Sequence, residues 1–245
     1  MPRTARHSSR TGFLHLIMRG ISRQVLFEDR SDYQKYLAVL RRYAEETHIK
    51  ICAYCLMENH VHLLIHDGQN QTSLFAKKVG VSYSIYFNKK HDRGGHLFQD
   101  RYLSEAVESE AYLFAAFRYI LNNPAKAGIC PASEYEWSSY RSFGENSGFV
   151  DSTPFLGRIR NKDELKLFVS AESRGMVFME YQGKRTDDWA REQIRELLKI
   201  PYGTYLQQLP REERNASIRI LKQAGLSIRQ IERLTGIGRN IVQKA

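Results

Sequence analysis

Two histidines separated by one residue have the types and spacing best suited to chemistry in this sequence. They are His60 and His62, in the stretch ENHVHLLI at residues 58–65. In a β-strand successive side chains point to opposite faces, so both imidazoles project from one face while Val61 points into a core. Histidine is the commonest metal ligand, so the pair is half of a candidate divalent-metal site. The alternative is that both are ordinary strand residues on a solvated face.

A second pair of chemically capable side chains lies in the stretch RYILNNPAKAG, which starts at Arg118. Tyr119 and Asn123 are four residues apart, so on a helix they lie one turn apart on the same face. An amide oxygen is a hard ligand suited to Mg²⁺ or Mn²⁺, and a phenol next to a metal is a usable nucleophile. The alternative for Tyr119 is an aromatic side chain half-buried against a core.

The composition is that of a globular protein with an excess of positive charge. The 245 residues are 42% hydrophobic and carry a net charge of +10. No apolar stretch approaches the roughly 18 residues of a membrane span, so we expect no membrane partner. Three cysteines, an odd number, argue against a disulfide framework and favour a cytoplasmic location.

The positive charge is concentrated at the two ends of the chain. Residues 1–10 contain Arg3, Arg6 and Arg10 and no acidic residue, and residues 184–245 contain thirteen basic residues against seven acidic ones. Basic ends on a nearly neutral middle favour electrostatic binding to a polyanion, most often nucleic acid. The alternative is charge that serves only solubility.

The elements that must position these side chains follow the order strand–helix–strand–strand–helix–strand–helix. This order predicts an α+β fold with one antiparallel, ferredoxin-like sheet and helices on a face. Ser31 and Ser109 are the predicted caps of the first and third helices, and Pro124 is predicted to end the third. The hydrophobic pattern predicts strands at 13–18, 49–57, 60–66 and 97–107, and helices at 32–47, 74–90 and 110–122.

The helix predicted at 74–90 combines aromatic and basic side chains. Tyr83, Tyr86 and Phe87 lie on one side, while Lys77 and Lys78 lie toward an end or the opposite side. Basic residues interleaved with aromatic ones suit binding along the backbone and bases of a single-stranded nucleic acid. The alternative is an aromatic core stripe with a solvated lysine face.

The chain is predicted to contain two domains and a connection between them. The first spans residues 1–143, an irregular linking segment follows at 144–183, and an all-α domain occupies 184–245. A short helix is expected within the linking segment. The shift to a helical composition near residue 187 marks the start of the second domain.

The last two predicted helices have the pattern of a helix-turn-helix. They lie at 227–234 and from Gly238 onward, with the turn TGIG between them. Ile241 and Val242 are expected to pack the second helix against the first. Arg239 and Asn240 would then face outward, where a recognition helix reads the base edges of duplex DNA.

Four motifs together resemble the HUH endonucleases, specifically the single-tyrosine transposases of small insertion sequences and, among them, the REP-associated tyrosine transposases. ENHVHLLI and RYILNNPAKAG carry the resemblance. FLHLIMRG resembles the family in its histidine and Arg-Gly pair, here His15 and Arg19-Gly20, and GGHLFQDRY in the strand around Gln99 and Arg101. The resemblance covers roughly residues 1–143 and leaves the helix-turn-helix region outside.

The resemblance implies a metal-dependent endonuclease and strand transferase, a transposase, that nicks single-stranded DNA bearing hairpins. His60, His62 and Asn123 would be the ligands of Mg²⁺ or Mn²⁺. Tyr119 would be the nucleophile, leaving a 5′-phosphotyrosine and a free 3′-hydroxyl. The protein is expected to act as a monomer or homodimer. The residues expected to contact DNA are Arg3, Arg6, Arg10, Arg19, Lys77, Lys78, Arg101, Arg239 and Asn240.

Two other functions are compatible with the same sequence. One is a non-catalytic DNA-binding regulator, in which the helix-turn-helix recognises duplex DNA and the first domain only grips hairpins. The complete set of two histidines, a tyrosine and an asparagine argues against it, because loss of selection is expected to erode such a set. The other is an RNA-binding module, since ferredoxin-like sheets with surface aromatics bind single-stranded RNA.

Overall fold

The computed structural model of the protein describes residues 9–99, 101–145, 149–171 and 187–245, without the side chains of 187–189. Arg3 and Arg6 lie outside the described residues. The chain divides into two compact units, Met1–Tyr181 and Gln182–Ala245. In the described part of the chain, no helix is both long and apolar enough to cross a membrane.

The first unit contains four β-strands and five α-helices within its described residues. The strands are β1 (Phe13–Arg19), β2 (Lys50–Met57), β3 (His60–His66) and β4 (Leu103–Ala106). The helices are α1 (Arg30–Glu46), α2 (Thr72–Lys90), α3 (Glu110–Leu121), α4 (Asn123–Lys126) and α5 (Lys162–Ser170).

The four strands form one antiparallel sheet in the order β2-β3-β1-β4. With α1 between β1 and β2, and α2 between β3 and β4, this is the predicted ferredoxin-like α+β arrangement, which is confirmed. The sheet places β1 and β3 side by side at its centre. Ile17 then pairs with His62, and Arg19 pairs with His60.

Helices cover both faces of the sheet, whereas the sequence predicted helices on one face. Val61, Leu63 and Ile65 of β3 pack in a core with α1 and α2. Leu64 points the other way, into a second core with α3 and α5. A central strand that is apolar on both faces needs a helical layer on each side, and α3 supplies the second layer.

Helix α1 begins two residues earlier than predicted, and Ser31 is not its cap. The Asp29 carboxylate accepts hydrogen bonds from the backbone N–H groups of Ser31 and Asp32. The Asp32 carboxylate in turn accepts from the backbone N–H of Asp29, which completes a capping box. Ser109 does cap α3, because its hydroxyl accepts from the backbone N–H of Tyr112.

The fourth strand is shorter than the predicted 97–107, because its regular pairing with β1 begins only at Leu103, opposite Ile17. Strand β1 stops at Arg19, and Gly20 leads into a 3₁₀ turn at Ile21–Arg23. Beyond the regular pairing, an isolated bridge joins Gly20 to Phe98, and the backbone N–H of Gln99 donates to the Arg19 carbonyl oxygen. A Cβ at residue 20 would collide with the backbone carbonyl oxygen of Gln24, so the chain can turn there only at glycine.

Part of the predicted linking segment belongs to the first unit. Val150 bridges Ile51 of β2 in parallel fashion and joins the first core. Phe155 and the α5 residue Leu165 are fully buried in the second core. The described part of 144–183 therefore extends the sheet and covers α3, and it does not act as a free connection.

The second unit is helical throughout its regular elements. Its helices are α6 (Asp187–Leu198), α7 (Arg211–Gln223), α8 (Ile228–Thr235) and α9 (Arg239–Lys244). Ser227 caps α8 in a capping box with Gln230, and Gly236 ends it with a left-handed φ of 71°. Val242 of α9 is buried as predicted, but Ile241 is 42% exposed, so a single residue of the predicted pair packs α9.

Candidate active site

The predicted histidine pair lies on the face of the sheet that α3 covers. His60 and His62 project from β3 on the opposite side to Val61, with their ring centroids 4.9 Å apart. His62 is 2% exposed and His60 is partly buried. The pair therefore lies at the edge of a core, and the alternative of a solvated strand face is wrong.

A third histidine, His15, joins the pair from β1. It is fully buried, and its Nε2 atom lies 3.0 Å from Nδ1 of His62. The two rings are nearly parallel, with an interplanar angle of 22° and centroids 5.3 Å apart. Sequence reasoning found His15 only through the family resemblance of FLHLIMRG and gave it no role, since the strand pairing that places it beside His62 is a long-range contact.

Helix α3 brings Tyr119 onto the same histidines. The Tyr119 ring centroid lies 5.5 Å from that of His62 and 5.9 Å from that of His15, edge-on in both cases. The side chain is 6% exposed. Tyr119 thus packs in the core, as expected for an aromatic side chain with a structural role, but its ring lies against two imidazoles.

Asn123 follows one turn later and is tied to the same helix end. Its Nδ2 atom donates to the Tyr119 carbonyl oxygen at 3.0 Å, and the residue is 8% exposed. With the amide nitrogen engaged, the amide oxygen is left for another partner. Helix α3 ends at Leu121, before Pro124, as predicted, and Pro124 takes an early position in the separate short helix α4, where a missing N–H costs nothing.

Asn59 is a further site residue that the sequence did not single out. Its side-chain oxygen lies 2.7 Å from Nδ1 of His60. An amide oxygen can only accept, so His60 carries its proton on Nδ1 and presents a bare Nε2. The Glu58-Asn59 connection is itself held in place, because its carbonyl oxygens accept from the backbone N–H groups of Leu26 and Gly20.

Burial keeps all three imidazoles uncharged at neutral pH. It lowers the pKa of His15 to about 4. Burial, followed by the charge of Arg19, lowers the pKa of His60 to about 4. Burial is also the main cause that holds the pKa of His62 well below its usual range, with smaller effects of His15, His60 and Lys126. A neutral imidazole is the form that binds metals.

The donor set fits a divalent metal held only partly by protein. Within the described ranges, no group of three or more His, Cys, Asp or Glu side chains could hold a metal ion. Two imidazole nitrogens and the amide oxygen of Asn123 could supply three donors. Mg²⁺ is commonly bound in this open way, through few protein ligands with water and substrate phosphate oxygens.

Two positive side chains accompany this donor set. The Lys126 Nζ atom lies 4.5 Å from the centre of the Tyr119 ring, and Lys126 itself is exposed. Arg19 ends β1 directly opposite His60. Lys126 was not predicted as a site residue, although it belongs to the NPAKAG motif and lies three residues after Asn123.

The other residues expected to contact DNA lie elsewhere. Lys77 and Lys78 are on α2, which packs on the opposite face of the sheet, and Lys78 bonds to Glu46. Arg10 pairs with Glu108 at 3.4 Å, and the exposed Arg101 precedes β4. The structure does not bring Lys77, Lys78 or Arg10 together with the histidine pair.

In the second unit the two predicted base-reading residues are both exposed at the start of α9. The Arg239 guanidinium pairs with the Glu232 carboxylate of α8, with nitrogen–oxygen distances of 3.0 and 2.8 Å. Asn240 follows it on the surface.

The fold and the site resemble those of a known class of protein. A ferredoxin-like sheet carries two histidines separated by one residue, and the helix after the last strand places a tyrosine against them. Residues 9–123, a little under half of the chain, match the family described as IS200-like transposases. This part of the chain is therefore similar to the IS200-like transposases.

Comparison with one solved structure agrees on the fold. A REP-associated tyrosine transposase, solved bound to a REP hairpin, matches with a TM-score of 0.52 and 16% identity, over 58% of this chain and 85% of that one. A candidate transposase from Deinococcus radiodurans R1 matches with a TM-score of 0.35 and 20% identity, over 44% of this chain and 88% of that one. No curated protein matches this sequence.

Proposed function

We propose that the first unit nicks and rejoins single-stranded, hairpin-bearing DNA, with Tyr119 as the nucleophile. The observation that carries the proposal is the Tyr119 ring packed edge-on against His62, 5.5 Å away, with Asn123 one turn further along. A phenol with an ordinary pKa near 10 needs an activating group to attack at neutral pH. The similar REP-associated transposase was solved with a REP hairpin, which supports a hairpin substrate.

The chemistry balances without an external energy source. The Tyr119 phenol loses its proton, and its oxygen forms a bond to the scissile phosphorus while the bond from phosphorus to the 3′ oxygen breaks. The 3′ oxygen takes up a proton and leaves as a free hydroxyl, and the DNA stays attached to Tyr119 through its 5′ phosphate. A 3′-hydroxyl can reverse the attack, because the covalent bond conserves the phosphoester energy.

His60, His62 and Asn123 are the residues that would hold Mg²⁺ or Mn²⁺. When bound, such an ion polarises a phosphodiester and stabilises negative charge on its oxygens. Asn59 prepares His60 for this task, since its side-chain oxygen keeps the proton on Nδ1 and leaves Nε2 free. Burial removes competition from protons, because the pKa of His60 is lowered to about 4.

Lys126 and Arg19 would supply the positive charge that a phosphate needs at such a site. Lys126 lies over the Tyr119 ring, so a phosphate attacked by the phenol oxygen comes within its reach. A fixed cation next to the reacting phosphate stabilises the extra negative charge of the transition state.

We further propose that the second unit binds duplex DNA through α8 and α9, as a helix-turn-helix. The exposed Arg239 and Asn240 at the start of α9 support this role. The Glu232 carboxylate holds the Arg239 guanidinium in one orientation, which favours bidentate contact with a guanine.

The test of the nuclease proposal is covalent capture of DNA. Protein, Mn²⁺ and labelled single-stranded hairpin oligonucleotides are incubated, and a labelled protein band is sought after denaturing electrophoresis. We expect an adduct with the wild type, none with Tyr119→Phe, and an unchanged adduct with the matched control Tyr102→Phe. Hairpin binding by Tyr119→Phe should stay within a few-fold of the wild type.

The outcome also separates the proposal from its main alternative. Hairpin binding without any adduct from the wild type would identify a non-catalytic DNA-binding regulator. An adduct that persists in Tyr119→Phe would show that another tyrosine is the nucleophile.

The metal is tested apart from cleavage, by calorimetry with Mn²⁺. His60→Ala and His62→Ala should each weaken Mn²⁺ binding by about 10–100-fold or more, because each removes one of few protein ligands. His66→Ala, on the same strand, is the control and should bind Mn²⁺ as the wild type does. Unchanged binding in both ligand variants would contradict the assignment.

A further inference from the structure

We infer that His15 is a positioning residue that accepts a hydrogen bond from Nδ1 of His62 and so keeps Nε2 of His62 free for a metal. The inference rests on the proposed function for its purpose. The arrangement itself is independent of it, because the two ring nitrogens lie 3.0 Å apart inside the protein.

The geometry leaves two ways to place the protons. Both rings are buried and neutral, so one nitrogen of the contact donates and the other accepts. If His15 donates from Nε2, His62 must carry its own proton on Nε2 and cannot bind a metal there. If His62 donates from Nδ1, its Nε2 holds a free lone pair.

The neighbouring histidine favours the second arrangement. The side-chain oxygen of Asn59 fixes the proton of His60 on Nδ1, which leaves Nε2 of His60 bare. Two imidazoles from one strand face can share an ion only if both present bare nitrogens. His15 then does for His62 what Asn59 does for His60, as an acceptor behind a ligand.

The surroundings of His15 point the same way. When His15 accepts at Nε2, its own proton sits on Nδ1, and that atom is buried with no hydrogen-bond partner. Glu105 of β4 is paired directly with His15 in the sheet register, so its side chain projects from the same face. A carboxylate on the same face of the sheet favours a proton, rather than a lone pair, on the free nitrogen of His15.

The proton positions are tested on the metal-free protein by long-range ¹H–¹⁵N correlation spectra of ¹⁵N-histidine-labelled samples. The His62 signals are assigned by comparison with His62→Ala. We expect His62 to carry its proton on Nδ1 in the wild type. A proton on Nε2 of His62 would overturn the inference, whether or not the protein cuts DNA.

A matched pair of variants tests the consequence for metal binding. His15→Gln places an amide head where Nε2 of His15 lies and can still accept from His62. His15→Asn is as polar but one methylene shorter, so it cannot reach His62. We expect His15→Gln to bind Mn²⁺ within a few-fold of the wild type, and His15→Asn to bind it about 10–100-fold more weakly.

Thermal unfolding in chelator identifies any variant that has lost its fold. If His15→Asn does not fold, the ¹H–¹⁵N spectra of the wild type and of His15→Gln still show whether His62 carries its proton on Nδ1. Equal Mn²⁺ affinity in a folded His15→Asn would contradict the role of His15. A wild type that binds no Mn²⁺ would instead contradict the proposed metal site, while the proton on His62 would still be read directly.

Discussion

Burial ties the histidines of this site to the stability of the metal-free protein. His15 and His60 have folded-state pKa values of about 4, below the ordinary 6.5 of an unfolded chain. Between these values the unfolded chain binds more protons than the folded one. The free energy of unfolding therefore falls as the pH drops from 6.5 toward 4.

This fall is measurable by urea unfolding in chelator between pH 7 and pH 4.5. His15, which is fully buried, contributes at most about 3 kcal/mol, since one pKa unit corresponds to about 1.4 kcal/mol. His15→Gln should show a shallower loss of stability over this range than the wild type. Parallel pH profiles for the two proteins would contradict the role of burial.

Lys126 should matter through its charge. We expect Lys126→Met to slow adduct formation by about 100-fold, as loss of a fixed positive group at a reacting oxyanion commonly does. Lys126→Arg should retain most of the rate. Lys77→Met, on the other face of the sheet, is the control and should form the adduct at the wild-type rate.

A substrate with an uncharged linkage at the cleavage position shows whether the charge of Lys126 acts on the scissile phosphate. In a hairpin oligonucleotide with a methylphosphonate at the cleavage position, one charged oxygen is replaced by a methyl group, so the transition state carries one negative charge fewer for Lys126 to stabilise. The loss in Lys126→Met should shrink to a few-fold on this substrate. An equal loss on both substrates would show that Lys126 acts on the structure of the site instead.

At the scale of elements, α3 is held from both sides. One side carries Tyr119 against the histidines of the sheet, and the other packs Phe117 on Phe155, with ring centroids 3.9 Å apart and nearly parallel planes. The position of the tyrosine therefore depends on a segment that follows it by more than thirty residues in the sequence.

Truncation of that contact should destabilise the first unit. Phe155→Ala removes a fully buried ring and is expected to lower the free energy of unfolding by about 3–5 kcal/mol. Leu167→Ala, on α5 but 72% exposed, should change it by no more than about 0.5 kcal/mol. Equal, small effects in chemical denaturation would mean that the segment does not support α3.

The local sequence pattern was enough to predict most of the strands and helices and the two pairs of candidate site residues. Alternation identified β3 and its two histidines, and helical spacing identified Tyr119 with Asn123. The partners His15 and Asn59 could not be found this way. The role of His15 depends on the pairing of β1 with β3, and the role of Asn59 depends on the contact of its side chain with His60 at the start of β3. The packing of Phe155 on α3 is likewise a long-range contact. The segment around Phe155 is irregular, so its hydrophobic pattern does not predict this contact.

At the scale of the molecule, the second unit carries most of the excess charge. Residues 184–245 contribute +6 of the total +10, from thirteen basic and seven acidic residues. Contacts of such residues with phosphates release counterions, so they make DNA affinity fall steeply with salt.

Deletion of 182–245 should therefore leave a protein that still forms the Tyr119 adduct at high concentration but binds DNA more weakly. Its logarithmic dependence of affinity on salt should also be shallower than that of the full chain. Filter binding at several salt concentrations measures both. A truncated protein with the full salt slope would show that the second unit makes no phosphate contacts.

The two-sided support of α3 sets where the first unit can be truncated if it is used as a tethered DNA-nicking tool. A fragment trimmed to the family match would end just after the tyrosine helix and would uncover Phe114 and Phe117, which now pack against Phe155. Such a fragment should be prone to aggregation, since it exposes an aromatic patch that is buried in the whole first unit. A truncated first unit should therefore keep the chain through Ser170, the end of α5.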